Sequence, residues 1–244
     1  MDFAVSRDDG RTFAPPRRIA DSAFPADLAV SPSGSLEVVY SQSVGGGSAI
    51  VHLRSTDAGA SFEPPARIAT AGTRRSVGGP MVAARPNGEL MACWAETSPA
   101  AVRRDRLRCA ERRAGSDWAE GKSLAVSLPA NAAYALPALV GTARAWYLLL
   151  YLIESAWTEV AVFRSTGRVD FSKLETLATA PGLGLSQWCL TRECKLSRHD
   201  RFTPGDYAAL AGSGGRLAAA YVLPRSGGPL FGSAAVHVSL LTEP

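Results

Sequence analysis

The stretch Ser55-Thr56-Asp57-Ala58-Gly59-Ala60-Ser61-Phe62 decides the fold of this chain, because it occurs twice. Its counterpart near the N-terminus is Ser6-Arg7-Asp8-Asp9-Gly10-Arg11-Thr12-Phe13, and the two copies start 49 residues apart (55 − 6). The match continues without a gap to Ala20 and Ala69. A sequence repeat with a period of about 20 to 50 residues is typical of propellers, solenoids and other arrays.

Both copies follow the pattern S-x-D-x-G-x-[ST]-F, which predicts a hairpin turn. The aspartate carboxylate can accept hydrogen bonds from backbone N–H groups inside the turn, and the glycine tolerates a positive φ. The hydroxyl residues bond locally, and the phenylalanine returns to the core. The residues that we assign to this structural role are Ser6, Asp8, Gly10, Thr12 and Phe13, and Ser55, Asp57, Gly59, Ser61 and Phe62.

The pattern resembles the Asp-box, or bacterial neuraminidase repeat, of sialidase-like β-propellers. The resemblance implies an all-β fold, a β-propeller of four-stranded antiparallel blades. It also implies that the boxes lie on the face away from the ligand site, so that their aspartates are structural.

Short apolar runs separated by Gly and Pro repeat along the chain and predict the blades. The repeats cover about 1–20, 24–69, 78–126, 134–178 and 205–244; the second has strands near 27–30, 36–40, 48–54 and 66–68, with a flexible loop at 43–47. An aromatic residue closes each second strand, and we expect these side chains to pack between blades: Tyr40, Trp94, Tyr151 and Tyr221.

The strand count leaves the number of blades open. Three repeats have four strands, whereas the N-terminal piece has two and the C-terminal piece three. Joined, the end pieces make four blades with a strand to spare; kept apart, they make five partial or whole blades. Because the sialidase family is usually six-bladed, we expect one domain over residues 1–244 that is truncated or part of a longer propeller.

Composition excludes several classes of protein. The chain has 46% hydrophobic and 20% charged residues and a net charge of +4, with the basic residues scattered, so no nucleic-acid partner is expected. The most apolar run, residues 145–153, is too short to span a bilayer and predicts a strand buried on both faces. The histidines are isolated, so we expect no metal, and nothing indicates a cofactor.

The four cysteines fall into two pairs. Cys93 and Cys109 lie symmetrically about a predicted hairpin loop, and Cys189 and Cys194 flank a short loop. Two disulfides would fit an exported protein, and four ordinary thiols are the alternative. No signal peptide is visible, so we expect export with the leader absent from this chain; a cytoplasmic location stays open.

The loops opposite the boxes form the expected ligand face. Our candidate ligand-binding residues in these loops are Arg74, Arg75, Trp188, Asp206 and Arg225. Arginine guanidinium groups bind carboxylates through two parallel hydrogen bonds, which suits an anionic sugar.

The resemblance also supplies catalytic candidates. Sialidases use a tyrosine nucleophile assisted by a glutamate, and the closest matches are Tyr207 and Glu154. However, residues 205–207 also resemble a G-D-Y motif of Asp-box proteins without established catalysis. The R-I-P triplet that provides the first sialidase arginine is missing, since Arg18-Ile19-Ala20 and Arg67-Ile68-Ala69 belong to fourth strands.

These observations favour a non-catalytic Asp-box propeller that binds a glycan or a protein on its loop face. The alternative is an exo-α-sialidase, or a fragment of one, that removes terminal sialic acid. A scaffold role is a third hypothesis, and the oligomeric state stays open.

Overall fold

The computed structural model describes residues 1–71, 76–97, 106–118, 124–126, 133–153, 157–167, 169–181, 208–224 and 234–244. All regular structure in these ranges is β-strand. The strands are β1 (Asp2–Phe3), β2 (Arg17–Arg18), β3 (Ala23–Val30), β4 (Leu36–Val44), β5 (Gly47–Ser55), β6 (Ala66–Ala71), β7 (Ser76–Ala84), β8 (Leu90–Thr97), β9 (Arg106–Arg112), β10 (Leu124–Ala125), β11 (Ala133–Gly141), β12 (Trp146–Ile153), β13 (Trp157–Ser165), β14 (Ser172–Pro181), β15 (Ala209–Ser213), β16 (Arg216–Pro224) and β17 (Ala234–Thr242). No helix in these ranges has the length and hydropathy needed to cross a membrane.

The strands form five antiparallel sheets, each made of strands consecutive in the chain. The orders are β1-β2, β3-β4-β5-β6, β7-β8-β9-β10, β11-β12-β13-β14 and β15-β16-β17. The expected strand count of two, four, four, four and three is therefore confirmed. The first strands β3, β7, β11 and β15 contact one another in that order, so neighbouring sheets stack as blades about a common axis. The fold is a β-propeller.

Strand β12 shows why the blades stack. Residues Trp146 to Leu152 are completely buried, although successive side chains point to opposite faces of the sheet. The even-numbered side chains pack in one core with β8 and β9, and the odd-numbered ones in another with β16. The prediction of a strand buried on both faces is confirmed, because a blade lies on either side.

The four aromatic residues expected to close the second strands lie inside these strands, which continue beyond them, but they are buried as expected. Tyr40, Trp94, Tyr151 and Tyr221 are all less than 5% exposed, and each belongs to a core between neighbouring sheets. Since each of the four larger sheets contributes one, they provide repeated packing between blades.

One local prediction was wrong. Residues 43–47 are not a flexible loop, because β4 and β5 extend to a two-residue turn in which Gly45 and Gly46 have φ values of 49° and 82°. Paired positive φ values match the turn to the twist of the hairpin. A turn of the same length joins β15 and β16, since Ser213 pairs with Arg216 and only Gly214 and Gly215 lie between them.

Cys93 and Cys109 form a disulfide between β8 and β9, where they are directly paired. Both are completely buried. This confirms the predicted opposition of the two residues across a hairpin. Cys189 and Cys194 lie outside the described residues.

Candidate functional site

The propeller has two ends with different connections. At one end, the box end, lie the turns between the first and second strands and between the third and fourth strands of each sheet. At the other, the loop end, lie the connections between second and third strands and between consecutive sheets. The predicted ligand face corresponds to the loop end.

All of the predicted ligand-binding and catalytic residues lie outside the described residues. They are Arg74, Arg75, Glu154, Trp188, Asp206, Tyr207 and Arg225. Their assignment stays a prediction. The described strands on either side of these residues have their ends at the loop end. The connections that join those strand ends are residues 72–75, 154–156, 182–207 and 225–233.

Asp27 is a carboxylate on a first strand, and burial is the largest influence on its pKa. It lies in β3, where its Oδ2 accepts a hydrogen bond of 2.9 Å from the N–H of Val82 in β7 and its Oδ1 accepts one of 2.9 Å from Leu28 N–H. Burial raises its pKa above the ordinary value, although both hydrogen bonds act in the opposite direction. Its position shows one clear role, which is to join the first strands of two blades.

The described tyrosines towards the loop end also act between strands. The Tyr151 hydroxyl donates to Val222 O at 3.0 Å and accepts from Val222 N–H at 2.7 Å, across two sheets. The Tyr221 hydroxyl lies 2.9 Å from that of Ser239. Burial raises the pKa of Tyr151, so this phenol stays protonated at neutral pH. Neither hydroxyl is free to act as a nucleophile.

The repeated S-x-D-x-G-x-[ST]-F stretches form the same turn at the box end. The expected return of the phenylalanine to the core is wrong for Phe13, which is 64% exposed, whereas Phe62 is partly buried. In the second copy, Asp57 Oδ1 accepts hydrogen bonds of 2.8 Å from Ser55 Oγ and from Ser61 N–H, while its Oδ2 accepts one of 2.5 Å from Ser61 Oγ. Gly59 N–H donates to Ser55 Oγ at 2.8 Å. The first copy repeats all four bonds within about 0.1 Å.

These bonds strongly stabilise the ionised aspartates. Hydrogen bonds from the hydroxyl and then the N–H of the residue four positions on lower the pKa of Asp8 and of Asp57 to about 2. Each carboxylate is thus occupied by hydrogen bonds within its own turn.

A buried ionic cluster, which sequence analysis missed, joins the first two four-stranded sheets near the box end. Glu37 on β4 accepts a hydrogen bond of 2.6 Å from His52 Nε2 on β5, and their side chains are only 1% and 4% exposed. Arg112 from β9 lies 3.3 Å from the same carboxylate, and Ser35 Oγ donates to it at 2.8 Å. Arg54 approaches it to 3.5 Å.

Burial alone would raise the pKa of Glu37, but hydrogen bonds from His52 and Ser35 and the charge of Arg112 hold it below the ordinary value. Glu37 is therefore ionised at neutral pH. The sequence does show a glutamate and a histidine within otherwise apolar strands, which indicates a buried polar contact. It does not show that Arg112 is the charged partner of Glu37, because the two residues are 75 positions apart.

The described residues hold no group of three or more His, Cys, Asp or Glu side chains that could bind a metal ion. The buried Glu159 carboxylate accepts hydrogen bonds from Lys173 and Thr176.

No family model matches this chain, and no curated protein matches its sequence. Solved structures do match it in fold. It is similar to a polysaccharide lyase, an ulvan lyase, with a TM-score of 0.58 and 12% identity over 99% of this chain and 59% of the lyase. The chain therefore spans less than two thirds of that protein's length.

Two fungal enzymes are similarly related. The GH93 α-L-arabinofuranosidase of Fusarium graminearum in complex with arabinobiose gives a TM-score of 0.56 and 13% identity over 97% of this chain and 72% of its own. The α-L-arabinanase of Penicillium chrysogenum, also in complex with arabinobiose, gives a TM-score of 0.56 and 12% identity. The match covers 96% of this chain and 72% of the arabinanase. At these identities the similarity establishes the fold alone, and the fold is that of carbohydrate-active propeller enzymes.

Proposed function

We propose that this chain is a non-catalytic propeller module that binds a glycan at its loop end. The observation that carries the proposal is the fold, since structures that match nearly the whole chain belong to proteins solved with saccharides. Ligand sites are concave and concentrate where loops converge on a rigid scaffold. In this proposal Arg74, Arg75 and Arg225 bind acidic groups of the sugar, Trp188 stacks on a ring and Asp206 accepts from hydroxyl groups. A protein ligand at the same end is the other form of the hypothesis.

The second candidate is an exo-α-sialidase, which the two box-type turns favour. In this case Tyr207 is the nucleophile and Glu154 assists it. A neutral nucleophile suits an anionic sugar, because a carboxylate would be repelled. The missing R-I-P triplet counts against this candidate.

We further propose that the protein is exported. The buried disulfide between Cys93 and Cys109 supports an oxidising compartment, because cytosolic proteins seldom keep such bonds.

A glycan array with the folded chain tests the binding proposal. We expect binding to acidic glycans that falls at least about tenfold for Arg225→Gln, the loss of one charge-assisted contact. Arg18→Gln is the matched control, since Arg18 is exposed on the N-terminal strand pair and pairs with Asp2. Absence of binding by a chain with a normal thermal transition would contradict the proposal.

Hydrolysis of a fluorogenic sialoside separates the two candidates. The binding module predicts no turnover above that of buffer. Turnover that disappears in Tyr207→Phe would instead establish the sialidase and would require another residue to supply the missing arginine contact.

A further inference from the structure

The first strand of each four-stranded sheet contains a bulge in the half nearer to the loop end. In β3, β7 and β11, two residues of the first strand lie opposite one residue of the second strand. The bulged pairs are Phe24-Pro25, Gly79-Pro80 and Leu136-Pro137. A bulge redirects the side chains at its position, and bulges are frequent beside binding sites. Because β3 and β7 contact each other, their bulges lie side by side at the loop end.

The bulge of β3 carries an exposed aromatic ring. Among the described residues, Phe24 is the most exposed large apolar side chain, at 86%. The strand pairing places Phe24 and Pro25 together opposite Ser41. Ser41 is directed at the next sheet, because its hydroxyl donates to Val77 O on β7 at 3.0 Å. Leu28 lies opposite a residue three positions from Ser41 and so belongs to the other face, which means that the bulge separates Phe24 from that face.

The bulge of β7 provides open space on the side that faces β3. Gly79 has a φ of +60°, and a Cβ added to it would meet no atom within 4 Å. Its bulge lies opposite Trp94, whose side chain packs in the core between the same two sheets. Nearer to the box end, Asp27 joins the two strands through its bond of 2.9 Å from Val82 N–H. An exposed ring and a backbone without a side chain thus occupy neighbouring places on two joined strands.

Packing within the described part of the chain gives the Phe24 ring no structural role. None of the core clusters among the described residues includes it. Phe62, by contrast, packs edge to face on Phe3, with ring centroids 5.3 Å apart. A large apolar ring that is exposed beside the axis, where the loops of the expected ligand face converge, is suited to contact a ligand.

We propose that Phe24 stacks on a sugar ring at the loop end and that the open space at Gly79 admits the edge of that ring. The inference rests on the proposed function, because it assigns a residue to the same glycan-binding end. One face of many pyranose rings consists largely of C–H groups, and stacking removes these groups and the phenyl ring from water together. The ligand is therefore a glycan that contains a pyranose with an unsubstituted C–H face.

Isothermal titration with three acidic oligosaccharides tests the proposal: sialyllactose, trigalacturonate and a sulfated galactose disaccharide. For the probe that the wild type binds most tightly, Phe24→Ala should weaken binding at least about tenfold, because it removes the stacking surface. Phe24→Trp keeps a flat aromatic surface and should bind within about twofold of the wild type. Phe13→Ala is the matched control, since Phe13 is 64% exposed at the box end and its loss should leave the affinity unchanged.

Gly79→Asn tests the open space on β7. Asparagine tolerates a positive φ better than most residues, and its side chain would occupy the place of the sugar edge. We expect this variant to bind the same probe at least about fivefold more weakly. Saturation-transfer NMR supplies a readout that a structural role would not change. Irradiation of the aromatic protons should reach the C–H protons on one face of the bound sugar in the wild type, and this transfer should disappear in Phe24→Ala.

Thermal melts of the Phe24 variants should match that of the wild type, because the side chain is exposed. Equal affinities of Phe24→Ala and the wild type for the same probe would overturn the stacking role and leave the proposed function standing. A wild type that binds none of the three probes would contradict the proposed function itself, and the stacking role with it. Equal weakening by Phe13→Ala and Phe24→Ala would also overturn the inference, since the sugar would not be held specifically at the loop end.

Discussion

Replacing Glu37 with glutamine should destabilise the protein far more than any surface charge change. Glu37 is the centre of the ionic cluster between the first two four-stranded sheets, and its side chain is only 1% exposed. The glutamine keeps the size of the side chain but removes the negative charge. The Arg112 guanidinium, 11% exposed, is then left without a counter-charge inside the interface.

The magnitude follows from these contacts. Breaking a buried ion pair by removing one partner costs about 3 to 5 kcal/mol. Glutamine still offers one carbonyl oxygen to Ser35 or Arg112, and one such hydrogen bond recovers about 1 kcal/mol. We therefore expect Glu37→Gln to lower the free energy of unfolding by about 3 kcal/mol. In a chain of this length that corresponds to a fall in Tm of about 6 to 12 °C.

Urea unfolding followed by circular dichroism measures this change, with Asp2→Asn as the control. Asp2 pairs with Arg18 at 3.2 Å, but their side chains are 53% and 67% exposed and the pair is screened by solvent, so we expect no measurable change in the free energy of unfolding. The double variant Glu37→Gln/Arg112→Gln should have nearly the same free energy of unfolding as Glu37→Gln alone, because it no longer buries an unpaired guanidinium charge. Equal effects of Glu37→Gln and Asp2→Asn on the free energy of unfolding would show that the buried cluster stabilises the protein no more than a surface ion pair does.

Three further predictions concern other parts of the fold. Reducing the Cys93–Cys109 disulfide, which closes a loop of 16 residues, should lower the free energy of unfolding by about 3 kcal/mol, as paired urea curves with and without reductant would show. Gly59→Ala should lower the free energy of unfolding by about 1 to 3 kcal/mol more than Gly10→Ala does. Both glycines have a φ of +82°, but only at Gly59 would the new Cβ lie 2.5 Å from a phenylalanine ring. Equal melting temperatures of the two variants would contradict this prediction. The pKa of Asp57 falls from 3.8 to about 2 on folding, so its contribution to stability is complete above pH 3.8 and is lost as the pH falls towards 2. Asp57→Asn should therefore remove this part of the acid-unfolding transition. An acid transition that is the same in the variant and the wild type would contradict this prediction.

The sequence predicted the blades well because their determinants are local. Alternation of apolar residues sets strand direction, and turn residues such as Asp57 and Gly59 act within four positions of each other. The turn at Gly45 and Gly46 was missed because a run of glycines is compatible with both a loop and a tight hairpin.

Contacts between blades could not be predicted in the same way. The bond from Asp27 to Val82 and the pairing of Glu37 with Arg112 join residues 55 and 75 positions apart. Which side chains meet between two blades depends on how the sheets stack, and the alternation of residues along each strand does not specify the stacking. The candidate ligand residues lie in connections, where there is no alternation from which a side-chain direction follows.

The consecutive order of strands within every sheet has a consequence for how the protein forms. Each strand pairs only with its neighbour in the chain, so a blade needs no distant segment to assemble. The ribosome releases one sheet after another, and each can close before the next emerges. Assembly should therefore proceed as stepwise growth from the N-terminus, with one apolar surface at the growing front at every stage. A pause in synthesis would expose that surface to chaperones at the boundary of a finished blade rather than within it.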